Sequence, residues 1–205
     1  DLRNALVQAA SRLVQAGGAE SFSLREAARS VGVSANAAYR HFADKSALLT
    51  AVAASGFGEL ARRMQRAQRA AAKTTAIRVG ALAQFKAAGR AYVEFAIDHP
   101  QWFRVMFGVN GLCRFAGDPL VAPRPSPYEL LGATLDDLVG AGALSAGARA
   151  GAELKAWTVV HGFASLLLDG GISFRSKSEQ TTALKSLLEF AVAGLRHSRP
   201  ADRGR

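Results

Sequence analysis

Apolar positions in the first fifty residues fall on helical spacing and are punctuated by capping residues and glycine. Leu2, Leu6, Ala9, Ala10, Leu13 and Val14 recur at intervals of three and four, which places them on one side of a helix that Gly17-Gly18 ends. A second helix begins after Ser23, whose hydroxyl suits the cap, while Glu26 three residues on suits a return bond to the Ser23 amide. Leu24, Ala27, Ala28 and Val31 share its inner face, and Gly32 ends it. Only Val33 separates that glycine from Ser34, another capping residue, and 35–42 is again helix-compatible. Two short helices joined by a tight glycine turn are the physical content of a helix-turn-helix. Small Ala28 and Ala38 let the two axes approach closely, and Asp44 suits the cap of a fourth helix carrying Ala47, Leu48, Val52 and Leu60 inward.

Helical spacing continues over 77–98, 100–107, 127–140, 148–169 and 179–197. These segments are divided by His99-Pro100, a Gly/Pro-rich stretch over 108–127, Gly142 to Gly147, and Gly170-Gly171. The stretch 108–127 holds four of the six prolines and reads as a mobile loop. The pattern predicts an all-α fold of about nine helices. An N-terminal three-helix helix-turn-helix domain (1–50) is joined to a larger α-helical domain (51–197), and a basic tail (198–205) is expected to be disordered.

Composition agrees with helix: 42 alanines stand against three isoleucines, and β-branched residues favour strands. The single cysteine, Cys113, allows no internal disulfide and no metal framework, so a reduced, cytoplasmic protein is expected. Cys113 reads as an incidental thiol in preference to a redox sensor. No apolar run approaches the roughly 18 to 20 residues a spanning helix needs, so no membrane association is expected. The chain opens at Asp1 without a methionine, so further N-terminal residues are expected.

The net charge of +10 favours a polyanionic partner, yet it does not point to the head. Residues 1–50 carry six basic side chains against four acidic ones. More of the excess lies in Arg62, Arg63, Arg66, Arg69, Lys73, Arg78, Lys86 and Arg90, with only Glu59 nearby. Arg62, Arg63, Arg66, Arg69 and Lys73 form a stripe on one helix face. Arg62 lies 17 residues beyond Lys45, hence about 25 Å along a straight helix from any phosphate held there. A solvated face is the preferred reading, with steering of DNA or attraction of an acidic ligand as alternatives.

The run from Val33 to Leu49, with Tyr39-Arg40-His41-Phe42-Ala43-Asp44-Lys45 at its centre, resembles the recognition-helix signature of the TetR family of bacterial repressors. It departs from that pattern at Ala37 and Ala38, where threonine and leucine are frequent. The resemblance implies that Arg25, Ser34, Ala35, Asn36, Tyr39, Arg40, His41 and Lys45 meet double-stranded DNA. Asn36 would read adenine and Ala35 a thymine methyl, while Arg25 would take a phosphate or a guanine. Tyr39 would meet phosphate or a base methyl, and His41 and Lys45 would clamp the backbone. The plainer readings are half-buried aromatics for Tyr39 and His41 and a solvated residue for Asn36. Arg40 is open between phosphate and solvent, and Phe42 is core.

Further along, His99-Pro100-Gln101-Trp102-Phe103 and Trp157-Thr158-Val159-Val160-His161-Gly162 resemble segments of the TetR subgroup named for a Trp, His and Gly in its C-terminal domain. The resemblance implies a homodimer made through the last two long helices, for which Ala164, Leu168, Leu184, Leu187, Leu188, Ala191 and Leu195 are the candidate interface. A pocket for a small hydrophobic molecule would draw on Phe85, Tyr92, Phe95, Trp102, Phe103, Met106, Phe107, Trp157 and His161, although most of these also suit plain core.

Catalytic patterns are missing. There is no Gly-x-Ser-x-Gly, no His-Glu-x-x-His and no phosphate loop, since Gly140-Ala141-Gly142-Ala143-Leu144-Ser145 follows a helix and lacks the third glycine. With the histidines scattered at 41, 99, 161 and 197, no metal and no cofactor is expected. The expectation is therefore not an enzyme but a sequence-specific regulator, a repressor that binds a palindromic operator as a dimer and is released by an inducer. A dimeric DNA-binding regulator without a small-molecule ligand is the alternative, and an enzyme a remote one.

Overall fold

The computed structural model describes residues 1–72, 76–107 and 125–198. Among these, the regular elements are nine α-helices: α1 (Leu2–Gly17), α2 (Leu24–Ser30), α3 (Ala35–Tyr39), α4 (Lys45–Ala71), α5 (Ile77–Asp98), α6 (Pro100–Phe107), α7 (Pro127–Gly140), α8 (Ala152–Leu168) and α9 (Lys177–Arg196), with 3₁₀ turns at Ala19–Ser21 and Ala146–Ala148. The chain divides into two compact units, Asp1–Glu59 with Asp98–Ser126 and Leu60–Ile97 with Pro127–Arg205. Lys73, Cys113, most of the Pro-rich stretch and all but the first residue of the basic tail lie outside the described residues.

In the first unit α1 is capped by the Asp1 carboxylate, which accepts from the Arg3 and Asn4 amides. Leu6, Ala9, Ala10 and Val14 are buried, while Leu2 and Leu13 are half-buried. The Ser23 hydroxyl accepts from the Glu26 amide at 3.2 Å, so one arm of the expected capping box forms. Helix α2 ends in a Schellman turn. Gly32 takes a left-handed φ of 74°, its N–H bonds to the Arg29 carbonyl, and the Val33 N–H reaches back to the Ala28 carbonyl at 3.1 Å.

Helix α3 starts where Ser34 caps the Ala37 amide, but it is shorter than the 35–42 pattern. The His41 and Phe42 amides both turn onto the Ala38 carbonyl, which tightens the chain and drops the Phe42 ring into the core. Ala28 and Ala38 are both buried, in keeping with close approach of the two axes. Asp44 caps α4 by accepting from the Ala47 amide at 2.7 Å, and Leu48 and Val52 face inward; each such burial contributes about 1.5–3 kcal/mol. Helix α6 closes this unit: Trp102 donates its indole N–H to the Val52 carbonyl, and Phe107 meets Phe57 edge-on at 5.2 Å.

The second unit is built on a core of Ala81, Phe85, Leu135, Leu138, Leu144, Ala152, Ala156, Val192 and Leu195. Helix α8 begins four residues later than its apolar pattern. Ser145 caps a separate 3₁₀ turn, and Gly151 takes a left-handed φ of 68° that breaks the helix before Ala152. Helix α9 begins two residues earlier than expected because Ser176 caps it, accepting from the Glu179 amide. Gln68 of α4 donates to the buried Thr134 hydroxyl of α7, which itself donates to the Leu130 carbonyl.

Candidate nucleic-acid interface and sensing core

Helix α3 is polarised by one buried residue. Ala38 is 0% exposed and seals the helix against α2, while Asn36, Tyr39 and Arg40, at i, i+3 and i+4, stand in solvent with Tyr39 47% exposed. Arg25, Ser34 and His41 are also exposed, and Ala35 is half-buried. The Ser34 hydroxyl is engaged as the cap acceptor. Lys45 is half-buried: its ammonium donates to the Glu20 carbonyl at 3.5 Å and sits 5.3 Å over the Phe22 ring. That cation–π contact tethers the first turn of α4 to the segment preceding α2. Asp44 fills part of the anion-attracting end of α4 with its own carboxylate. Arg3, which the sequence did not single out, lies 5.1 Å over the Phe42 ring.

The basic stripe is not uniformly solvated. Arg62, Arg66 and Arg69 are exposed, but Arg63 is half-buried and lies 3.9 Å from Glu94 of α5, an acid that no local count of charge would have assigned to it.

The nine residues expected to line a pocket fall into two groups. Trp102, Phe103, Met106 and Phe107 belong to the first unit, where the first three are buried and Phe107 is half-buried. Phe85, Tyr92, Phe95, Trp157 and His161 belong to the second. Phe85 and Phe95 are plain core. Tyr92, Trp157 and His161 come together: the Trp157 N–H donates to the Tyr92 oxygen at 3.1 Å, the phenol lies 2.8 Å from His161 Nδ1, and the Trp157 and His161 rings stack at 4.6 Å. The phenol oxygen can accept the indole N–H and still donate its own proton to His161 Nδ1, an arrangement that puts the ring proton on Nε2. Burial lowers the His161 pKa and so favours this neutral form.

The residues expected at the dimer seam face mostly inward in the single chain. Ala164, Leu184, Leu188, Ala191 and Leu195 are buried inside the chain itself, and Leu168 and Leu187 are half-buried. The spacing found the inner face of both helices. Their outer faces carry Leu166 (50% exposed) and Phe190 (66% exposed), each one turn from a glycine, Gly162 and Gly194, where an added Cβ would meet empty space. An i, i+4 ridge of Leu154, Thr158, Gly162 and Leu166 would have shown the first of these outer faces in the sequence.

Among the described residues no group of three or more His, Cys, Asp or Glu could hold a metal ion, and no helix is long and apolar enough to cross a membrane. The fold and its exposed short helix define a class: a helix-turn-helix protein with a larger helical domain. Residues 6–52 match the family described as bacterial regulatory proteins, tetR family, and residues 85–191 match the tetracyclin repressor-like C-terminal domain. The chain belongs to the TetR family and is a DNA-binding transcriptional regulator, not an enzyme.

It is similar over 96% of both chains to a protein of unknown function from Rhodococcus sp. RHA1, at 29% identity and a TM-score of 0.77. A TetR variant from Acinetobacter baumannii AYE, solved in complex with minocycline, shares 18% identity over 99% of this chain and 97% of that one, with a TM-score of 0.64. PfmR, a TetR family regulator from Thermus thermophilus, shares 19% identity over 93% and 98%, with a TM-score of 0.52. At these identities the last two show the fold. Among curated proteins no sequence matches.

Proposed function

We propose that this regulator is a repressor that reads a palindromic operator as a homodimer, and that a small hydrophobic molecule releases it. The observation that carries the reading is α3: Ala38 is sealed inward, and Asn36, Tyr39 and Arg40 are left together in solvent on one side of a short helix. Asn36 offers the amide geometry that bonds adenine bidentately, and Ala35 offers a methyl surface to thymine. Tyr39, Arg40, His41 and Arg25 surround them as phosphate partners, and Lys45 adds a cation that must leave the Glu20 carbonyl to reach one. A second copy would double these contacts at a spacing of one DNA turn. The outer ridges around Leu166 and Phe190 are the surface we assign to that pairing, in place of the buried leucines.

The inducer would bind in the second unit near Tyr92, Trp157 and His161, where aromatic faces and a neutral imidazole offer stacking and one polar handle. The A. baumannii protein, which shares the fold, was solved in complex with minocycline. Helix α4 is continuous from Lys45 to Ala71 and so runs from the head into the second unit. A ligand that shifts its second half would displace the heads from groove register.

Selection of bound sequences from random double-stranded DNA tests the reading. Recovery of an inverted repeat supports the dimeric reader, and recovery of no motif or of an asymmetric half-site overturns it. A thermal-shift screen of aromatic compounds tests the inducer: a stabilising compound that also weakens operator binding supports it, through linkage. Stabilisation without any loss of operator affinity favours a regulator whose DNA binding no small molecule controls.

A further inference from the structure

A groove of about 450 Å³ lies within the second unit, along one face of α5 and against α9. Its α5 wall is set by residues that share a helical face, and it changes character along its length. Val79, Leu82 and Ala83 form an apolar end in which Val79 is 58% exposed. Lys86, Arg90, Lys185 and Glu189 form a charged end. From Val79 to Arg90 is 11 residues, or roughly 16 Å at the helical rise. The depth of the groove is fixed by close approach: an added Cβ on Gly89 would lie 2.6 Å from Leu188, so α5 and α9 touch at its floor.

The charged end is not self-neutralised. Lys86 bonds Glu189 at 2.6 Å, which accounts for the one acid. Arg90 and Lys185, both exposed, form no ion pair among the described residues. Two cations without an ion pair at one end, and at the other an apolar wall in which Val79 is exposed and Leu82 and Ala83 half-buried, match an anion with an apolar tail. Water alone leaves Val79 and Leu82 poorly covered, and a free inorganic anion would not use them. A carboxylate head can take a bidentate guanidinium from Arg90 while its chain lies over Ala83 and Leu82.

We propose that this groove binds an amphipathic organic anion, a carboxylate with an apolar chain, at a site separate from the Tyr92–Trp157–His161 cluster. Calorimetric titration of the whole chain with dodecanoate, held below its micellar concentration, tests it. One dodecanoate per chain is expected, with butanoate and dodecyltrimethylammonium at least tenfold weaker. The surface double substitution Arg90→Glu, Lys185→Glu is expected to weaken dodecanoate at least tenfold with an unchanged circular dichroism spectrum, and Ala83→Phe to do the same by filling the groove. His161→Gln is expected to leave the affinity intact, which separates this site from the inducer site proposed above. Unchanged dodecanoate affinity in the Arg90, Lys185 variant overturns the proposal. So does equal affinity for the cationic surfactant, loss of binding in His161→Gln alone, or no binding to the parent chain.

Discussion

The indole N–H of Trp102 donates to the Val52 carbonyl at 2.9 Å, so a helix 50 residues further along the chain is hydrogen-bonded to the backbone of α4. Gly56 makes room for it. A Cβ there would stand 2.6 Å from Met106 Sδ and 2.9 Å from Trp102 Nε1. Helix α6 is thereby seated on the helix whose first residue is Lys45, within the unit that holds the candidate DNA-contact residues.

Gly56→Ala is expected to reverse the usual helix preference. In an open helix the change stabilises by about 1 kcal/mol. Here the added methyl displaces Met106 and the indole, and overpacking of this kind costs about 1–3 kcal/mol. A lower midpoint in urea, with altered tryptophan fluorescence, is the expected result. A variant more stable than the parent would mean that the glycine is not held by this contact.

Gly32→Ala isolates a purely conformational cost. No atom lies within 4 Å of the added Cβ, but φ is 74°, a region that costs an L-residue about 1–2 kcal/mol. Gly32→Asn is expected to lose less, because asparagine tolerates that conformation. Ser34→Ala, which removes the neighbouring cap, is expected to cost about 1 kcal/mol. Equilibrium unfolding of the three variants checks the ranking.

The head was legible in the sequence where its structure is local. Ser23, Ser34, Asp44 and Gly32 act on amides and carbonyls within a few residues, so type and spacing reveal them. The end of α3 was not legible, because it is set by the burial of Phe42, whose ring lies under Arg3 of α1, 39 residues away. The start of α8 was missed for another reason: Gly151 could have sat in a helix, and only its left-handed backbone shows that it does not. On α9 the apolar spacing marks a buried face without saying whose chain buries it. Tyr92 and His161 are 69 residues apart, so nothing in either local pattern announces their bond. The contacts of the eight candidate DNA residues depend on a partner molecule, and the chain alone supplies only their exposure.

Asn36→Ala and Lys45→Ala are expected to fail differently. Loss of a base-reading amide relaxes preference at one operator position by about 1–3 kcal/mol and leaves the salt dependence unchanged. Loss of a phosphate-binding ammonium weakens all sequences alike and lowers the salt slope by about one. Lys45→Ala also removes the contact with Glu20 and Phe22, so a thermal melt must accompany the binding curves. An unchanged salt slope would show that Lys45 serves only that tether.

Phe190→Glu places a charge on the exposed outer ridge of α9, away from the chain's own core. If that ridge pairs two copies, sedimentation is expected to show a shift from dimer to monomer, and operator affinity to fall with it. Leu188→Ala, by contrast, opens a cavity inside the chain and is expected to cost about 2–5 kcal/mol of stability. A Phe190→Glu protein that remains a dimer would move the interface elsewhere.

His161 gives the second unit a pH dependence whose sign follows from its burial. Desolvation lowers its folded pKa below the ordinary 6.5, so the unfolded chain binds the proton more readily. Stability from this group is therefore complete above about pH 6.5 and is lost as pH falls from there toward the lowered folded value. In the protonated ring both nitrogens are donors, so Nδ1 can only donate to the Tyr92 oxygen it faces at 2.8 Å. Urea denaturation at stepped pH should show the parent losing stability below pH 6.5 more steeply than His161→Gln, in which the titrating ring is gone. The Trp157 ring, stacked on the imidazole, supplies a fluorescence signal for the same event. Parallel curves for parent and variant would show that the imidazole is solvated enough to titrate alike in both states.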